Sequence, residues 1–138
     1  MTEWNDIDLR VPAKQAWQQS EHDFQKRLVA ALNQRVIIEP ALALLYAVPN
    51  GGMRNKATAG KLRAEGVKSG VPDLFLSVPS TPFHGLYLEL KAKANTASDE
   101  QRRWLMNLSA QGYKCAVVND MGTALRIVAE YLRNPQLI

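Results

Sequence analysis

The sequence predicts an α/β domain with a mixed central β-sheet flanked by α-helices, and three observations predict it. Short apolar runs with alternating polarity, such as "DLFLSV" and "LYLELKAK", have the period of strands. Longer runs such as "SDEQRRWLMNLSAQG" and "TALRIVAEYL" repeat apolar residues at helical spacing. The two kinds mingle along the chain rather than segregating, which is the order of a sheet with helices on its faces.

Each element follows from its local chemistry. A first helix is expected to open at "SEHDFQKRLVAALNQ", with Ser20 as N-cap, Asp23 in the first turn and Phe24, Leu28, Ala31 and Leu32 as the apolar stripe. Glu21 lies three residues before Phe24 and seven before Leu28, so it projects from the buried side, whereas His22 and Asp23 point away. After Pro40, "ALALLYAVP" is a candidate strand, and periodicity leaves a short buried helix open as the alternative. "NGGMRNK" is a loop, and "ATAGKLRAEG" a short helix ended by Gly66. Two strands joined by "PSTPFHG" come next. The following helix opens on a capping box, Ser98 with Gln101, and closes at Gly112. "YKCAVVN" is the last strand, and Asn134-Pro135 stops the last helix.

Residues 1–19 are expected to be an arm and residues 20–138 one domain. The 138 residues are 46% hydrophobic, enough for a sizeable core. No run approaches the roughly 18 to 20 apolar residues of a membrane span, and the start lacks the pattern of a secretory signal. One cysteine, Cys115, and two histidines provide neither an internal disulfide nor a zinc cluster. A soluble protein of a reducing, cytoplasmic setting is expected, the host's cytoplasm if the source is viral. Cys115 reads as a small buried residue, Tyr87 and Trp104 as packing residues, and His84 as a surface residue. The formal charge of +4 favours an anionic partner, nucleic acid first.

The strand pair at residues 70–93 carries the chemistry. In the second strand Leu86, Leu88 and Leu90 point one way and Tyr87, Glu89, Lys91 and Lys93 the other; in the first, Asp73, Phe75 and Ser77 share a face. If the two pair through the turn, Asp73 comes close to Glu89. Two carboxylates in a small volume repel unless a cation neutralises them, and a hard divalent ion with oxygen ligands is suited to that. Lys91, on the face of Glu89, can stabilise charge on a phosphoryl group. A solvated strand face would show the same alternation.

"GVPDL" followed by "LELK" resembles the bipartite signature of PD-(D/E)XK nucleases, and together with "PNGGMRN", "GVKSGVPDL", the helix glutamine and the closing "GY" it resembles the VRR-NUC branch from about residue 20 to residue 133. The resemblance implies a restriction-endonuclease-like core. It implies that Asp73 and Glu89 ligate Mg²⁺, with Mn²⁺ as a substitute, that the backbone carbonyl of Leu90 joins them, and that Lys91 is the catalytic lysine. Glu21 matches the acid on the family's first helix, acting directly or through water, and Gln101 the glutamine after the lysine strand, where it would orient Lys91 or a phosphate oxygen. It further implies DNA hydrolysis leaving a 5′-phosphate, selectivity for branched DNA such as a Holliday junction, and a homodimer. The alternatives are a non-catalytic nucleic-acid-binding module and a subunit active only with a partner such as a helicase. Arg54, Lys56, Lys61, Arg63 and Lys68, against the single acid Glu65, form a basic stretch expected to hold the DNA backbone.

Overall fold

A computed structural model describes residues 13–49, 56–92 and 95–138. Its fold class is α/β: four α-helices and a mixed four-stranded sheet in the order β1-β2-β3-β4. The helices are α1 (Ala13–Gln34), α2 (Lys56–Ala64), α3 (Asp99–Ala110) and α4 (Met121–Leu132), and the strands β1 (Leu45–Ala47), β2 (Leu74–Leu76), β3 (Leu86–Leu90) and β4 (Lys114–Val118). Strands β1 and β2 pair antiparallel, as do β2 and β3. Strand β4 runs parallel to β3, because their backbone bonds advance together from His84 N–H to Gly112 O (3.0 Å) to Lys91 N–H to Val118 O (2.9 Å). Parallel neighbours need a crossover, and α3 supplies it.

The chain divides into two compact units. One takes in the described parts of Met1–Ala43 with Leu90–Thr96 and Val117–Ile138. Within it α1 packs on α4. Phe24, Leu28 and Leu32 of α1 and Ala124, Val128, Ala129 and Tyr131 of α4 are buried, the stripes that the helical period predicts. Asp120 caps α4 by accepting from Thr123 N–H at 2.8 Å, and Arg133 ends it in the left-handed region at φ 54°. Beyond it Arg35 donates to the carbonyl of Leu137, and Asn134 Nδ2 to Glu39 Oε2 at 3.1 Å, tying the end of the chain to the stretch after α1.

The other unit takes in Leu44–Glu89, less residues 50–55, and Ala97–Ala116. Its apolar centre is Leu74, Leu76, Leu86 and Leu88, none more than 1% exposed. Each such leucine contributes about 1.5–3 kcal/mol by leaving water. The β2–β3 connection closes on reciprocal bonds between Ser80 and Phe83. Gly85, at the start of β3, has no alternative: a Cβ there would lie 2.6 Å from the Phe75 ring.

Two expectations are corrected. The first helix begins at Ala13, so Ser20 lies inside it and is not its N-cap; residues 13–19 offer nothing that breaks a helix, and the N-cap preference of Ser20 yields to propagation. The apolar run after Pro40 is a 3₁₀ turn over Pro40–Leu44, and only Leu45–Ala47 is strand. Proline fixes φ and suits the first turn of a helical segment, which delays the extended backbone.

Candidate active site

The acidic pair is built by the β2–β3 register. Leu74 pairs with Leu88 and Phe75 with Tyr87. One further step along that register sets Asp73 opposite Glu89. Phe75 and Tyr87 stack at 4.3 Å between ring centres, 21° from parallel, so the face they share is fixed. Asp73 and Glu89 each lie two residues from those rings and belong to the same face.

That face is half-covered at Asp73, Phe75 and Tyr87 and fully covered at Glu89. Glu89 is 1% exposed, although the leucines on the other face of the strand, Leu88 included, are also fully buried. Burying a carboxylate costs several kcal/mol unless charges and hydrogen bonds compensate. Part of the compensation is Gln101, whose Nε2 donates to Glu89 Oε2 at 3.3 Å. The same side chain closes the capping box of α3: Ser98 N–H donates to Gln101 Oε1 at 2.9 Å, and Gln101 N–H to Ser98 Oγ at 3.2 Å. Both ends of one amide are thus used, one for the helix and one for the acid. Gln101 thereby orients Glu89.

Around the pair, Tyr46 and Tyr113 meet Phe75 edge-on at 5.7 and 5.9 Å. Burial raises the Tyr87 phenol above its ordinary pKa, helped by Tyr113, Tyr46 and Cys115, so it stays neutral beside the carboxylates. Burial likewise raises the Cys115 thiol. Neither offers a charged nucleophile.

The remaining predicted residues belong to the α1–α4 unit. Glu21 is half-buried, on the stripe side of α1 as its spacing predicts, and its Oε2 accepts from Ala92 N–H at 3.3 Å. His22 and Asp23 are exposed. The side chain of Leu90 is fully buried and Lys91 is 8% exposed, its backbone N–H bonded to Val118 O at 2.9 Å. Glu21 is therefore held to the residue directly after Lys91.

Of the basic stretch, Arg54 lies outside the described residues and Lys56 opens α2. Lys61, Arg63 and Lys68 are exposed. Arg63 and Lys68 line an open cleft of about 370 Å³ with Val67, Ser69, Glu100 and Trp104. The sequence did not single out Glu100, and it read Trp104 as packing; the only signal was their i, i+4 spacing on α3, which aligns them on one face.

Among the described residues no group of three or more His, Cys, Asp or Glu side chains comes together to hold a metal, and no helix is long and apolar enough to cross a membrane. The oxygen donors that do oppose one another, Asp73 and Glu89, suit a hard cation that keeps several of its waters, as Mg²⁺ does. They do not suit a closed structural site.

The α/β fold thus carries a buried Glu89 on β3, a half-buried Asp73 directly before the neighbouring strand β2, and Lys91 two residues beyond Glu89. The VRR-NUC domain family model matches residues 14–121, and the chain belongs to that family of PD-(D/E)XK-type nucleases. A solved VRR_NUC domain protein has the same fold, with a TM-score of 0.67 at 23% identity over 82% of this chain and 88% of the other. A search of curated proteins finds no match.

Proposed function

We propose that the protein is a Mg²⁺-dependent DNA endonuclease in which Asp73, Glu89 and the Leu90 carbonyl hold the ion and Lys91 stabilises the charge that develops on the phosphoryl oxygens. The observation that carries this reading is the burial of Glu89 opposite Asp73 in register, since a solvated strand face accounts for an exposed carboxylate and not for a buried one. Family membership supports the same assignment, as Glu89-Leu90-Lys91 occupies the acid-x-lysine position of the family signature.

When bound, a hard divalent ion supplies Lewis-acid charge at the phosphoryl group and lowers the pKa of a coordinated water. The chain's own residues do the rest. Gln101 fixes the rotamer of Glu89 through the 3.3 Å bond, so the carboxylate is set before substrate arrives. Lys91, directly after β3 and nearly enclosed, pays little ordering entropy when it meets an anionic oxygen. Glu21, anchored on Ala92 N–H, completes the acidic surroundings as a positioning residue, directly or through water. Lys61, Arg63 and Lys68 bind DNA backbone phosphates, and Arg54 and Lys56 extend that role.

The preferred substrate in this reading is branched DNA, cut by a C2 homodimer: a four-way junction presents two related strands, and a twofold assembly offers two related sites. Labelled duplex, flap and four-way junction DNA incubated with the purified chain in Mg²⁺ or EDTA tests each part. Cleavage in Mg²⁺ alone, lost in Asp73→Ala and Lys91→Ala, is the expected result. Equal cleavage by wild type and Glu89→Ala overturns the assignment, and concerted cutting of a junction by a strictly monomeric species overturns the dimer.

A further inference from the structure

Apart from the phosphate-binding role proposed for Arg63 and Lys68, the cleft that they line with Val67, Ser69, Glu100 and Trp104 has no part in the chemistry above, yet it is joined to the acidic pair by two short runs of chain. Ser69 is four residues before Asp73, and Glu100 directly precedes Gln101, the residue bonded to Glu89. The contents of the cleft are unusual for a backbone-binding groove. Glu100 Oε1 accepts from Ser69 Oγ at 2.8 Å, so a carboxylate is fixed where phosphate would be repelled. Trp104 is half-buried and lies against Gly70. Gly70 has φ +87°, and a Cβ on it would come within 2.7 Å of Glu100 Cγ and 3.0 Å of Trp104 Cδ1, so the loop before Asp73 and the start of α3 meet at a distance only glycine allows.

From this we infer that the cleft receives one unpaired nucleobase of the DNA, stacked on the Trp104 indole, with Arg63 and Lys68 on its flanking phosphates and Glu100 Oε2 accepting an exocyclic amino group. The volume of about 370 Å³ lies at the small end of ligand pockets, fit for a base and not for a duplex. A paired base has both faces covered by its neighbours and no free face to offer an indole. Only an extruded or single-stranded base does. A carboxylate accepts from the amino groups of adenine, cytosine or guanine, while thymine has none, so the cleft favours an amino-bearing base. Inorganic phosphate alone is a poor occupant because Glu100 opposes it.

This inference rests on the nuclease reading and gives it a substrate feature: an unpaired nucleotide beside the scissile phosphate. Binding of the full-length chain to fluorescein-labelled duplex, and to the same duplex with one bulged adenine or one bulged thymine, is measured in EDTA so that no cleavage occurs. The bulged-adenine duplex is expected to bind about ten-fold more tightly than the plain duplex. Trp104→Ala erases that preference, Trp104→Phe keeps most of it, and Glu100→Gln narrows the gap between adenine and thymine. Equal binding of bulged and plain duplex by wild type overturns the inference. So does a Trp104→Ala protein, folded by circular dichroism, that weakens both DNAs alike. Cleavage of the bulged duplex and of a four-way junction in Mg²⁺ is scored separately: if cutting persists without bulge preference, only this inference falls; if the preference holds and neither DNA is cut, the nuclease reading falls.

Discussion

Strand β3 and helix α2 both carry charge, and they carry it under opposite conditions. Glu89 and Lys91 are 1% and 8% exposed, whereas Lys61 and Arg63 stand in water. An exposed cation on a helix costs nothing to keep and is screened within about 8–10 Å at ordinary salt, which suits a groove that gathers phosphates. A buried carboxylate is kept against a desolvation penalty, so it persists where a bound cation, a substrate or a transition state compensates. The proposed function accordingly assigns the exposed charges to attracting DNA and the buried ones to acting on it.

The sharpest way to break this comparison is Glu89→Gln, which keeps shape and removes charge. Cleavage is expected to fall by at least about 10³-fold with the fold intact by circular dichroism, while DNA binding in EDTA is retained or strengthened. Weaker binding in step with weaker cleavage would place Glu89 among the binding groups. On the apolar side of the same strand, Leu88→Ala is expected to cost about 2–5 kcal/mol of stability by chemical denaturation, with loss of activity tracking the unfolded fraction. Neutralising Lys61 and Arg63 together is expected to weaken binding several-fold and to lower the slope of log affinity against log salt by about 0.9 for each lost phosphate contact. An unchanged slope would make them a plain solvated face.

Two smaller effects refine the comparison. Ser98→Ala removes the acceptor of the capping box and is expected to cost about 0.5–2 kcal/mol. Cys115, expected to be buried, is half-buried, as is Tyr87, and for this thiol and phenol the sign is set by their raised pKa values: the unfolded chain ionises first, near the ordinary 9.0 of cysteine and 10.0 of tyrosine, while the folded chain keeps its protons. Stability is therefore full below about pH 9 and declines as pH rises above it, more gently in Cys115→Ala. Urea midpoints across that range measure it.

Much of this was legible in the sequence because it depended on local chemistry. The capping box of α3, the glycines after α2 and α3, the inward side of Glu21 and the pairing of the two strands that flank "PSTPFHG" all follow from spacing alone, and each is where the spacing put it. What stayed hidden depended on what lies over a surface. Alternation in "LYLELKAK" distinguishes two faces but not whether the second is covered, so the burial of Glu89 needed the fold. Trp104 packs as its helix position suggests, and only the fold shows that Gly70 is what it meets. The start of α1 was misjudged because a good N-cap residue also sits comfortably inside a helix that already has momentum from earlier turns.

Gln101 closes the first turn of α3 with one atom and steadies Glu89 with another, so fraying of the helix and the setting of the acid that the proposed mechanism uses are linked through a single amide. Opening of that first turn is a local event, needing far less energy than unfolding. On warming, the enzyme is therefore expected to fall silent some degrees before its far-ultraviolet signal melts, and to recover fully on cooling from that interval.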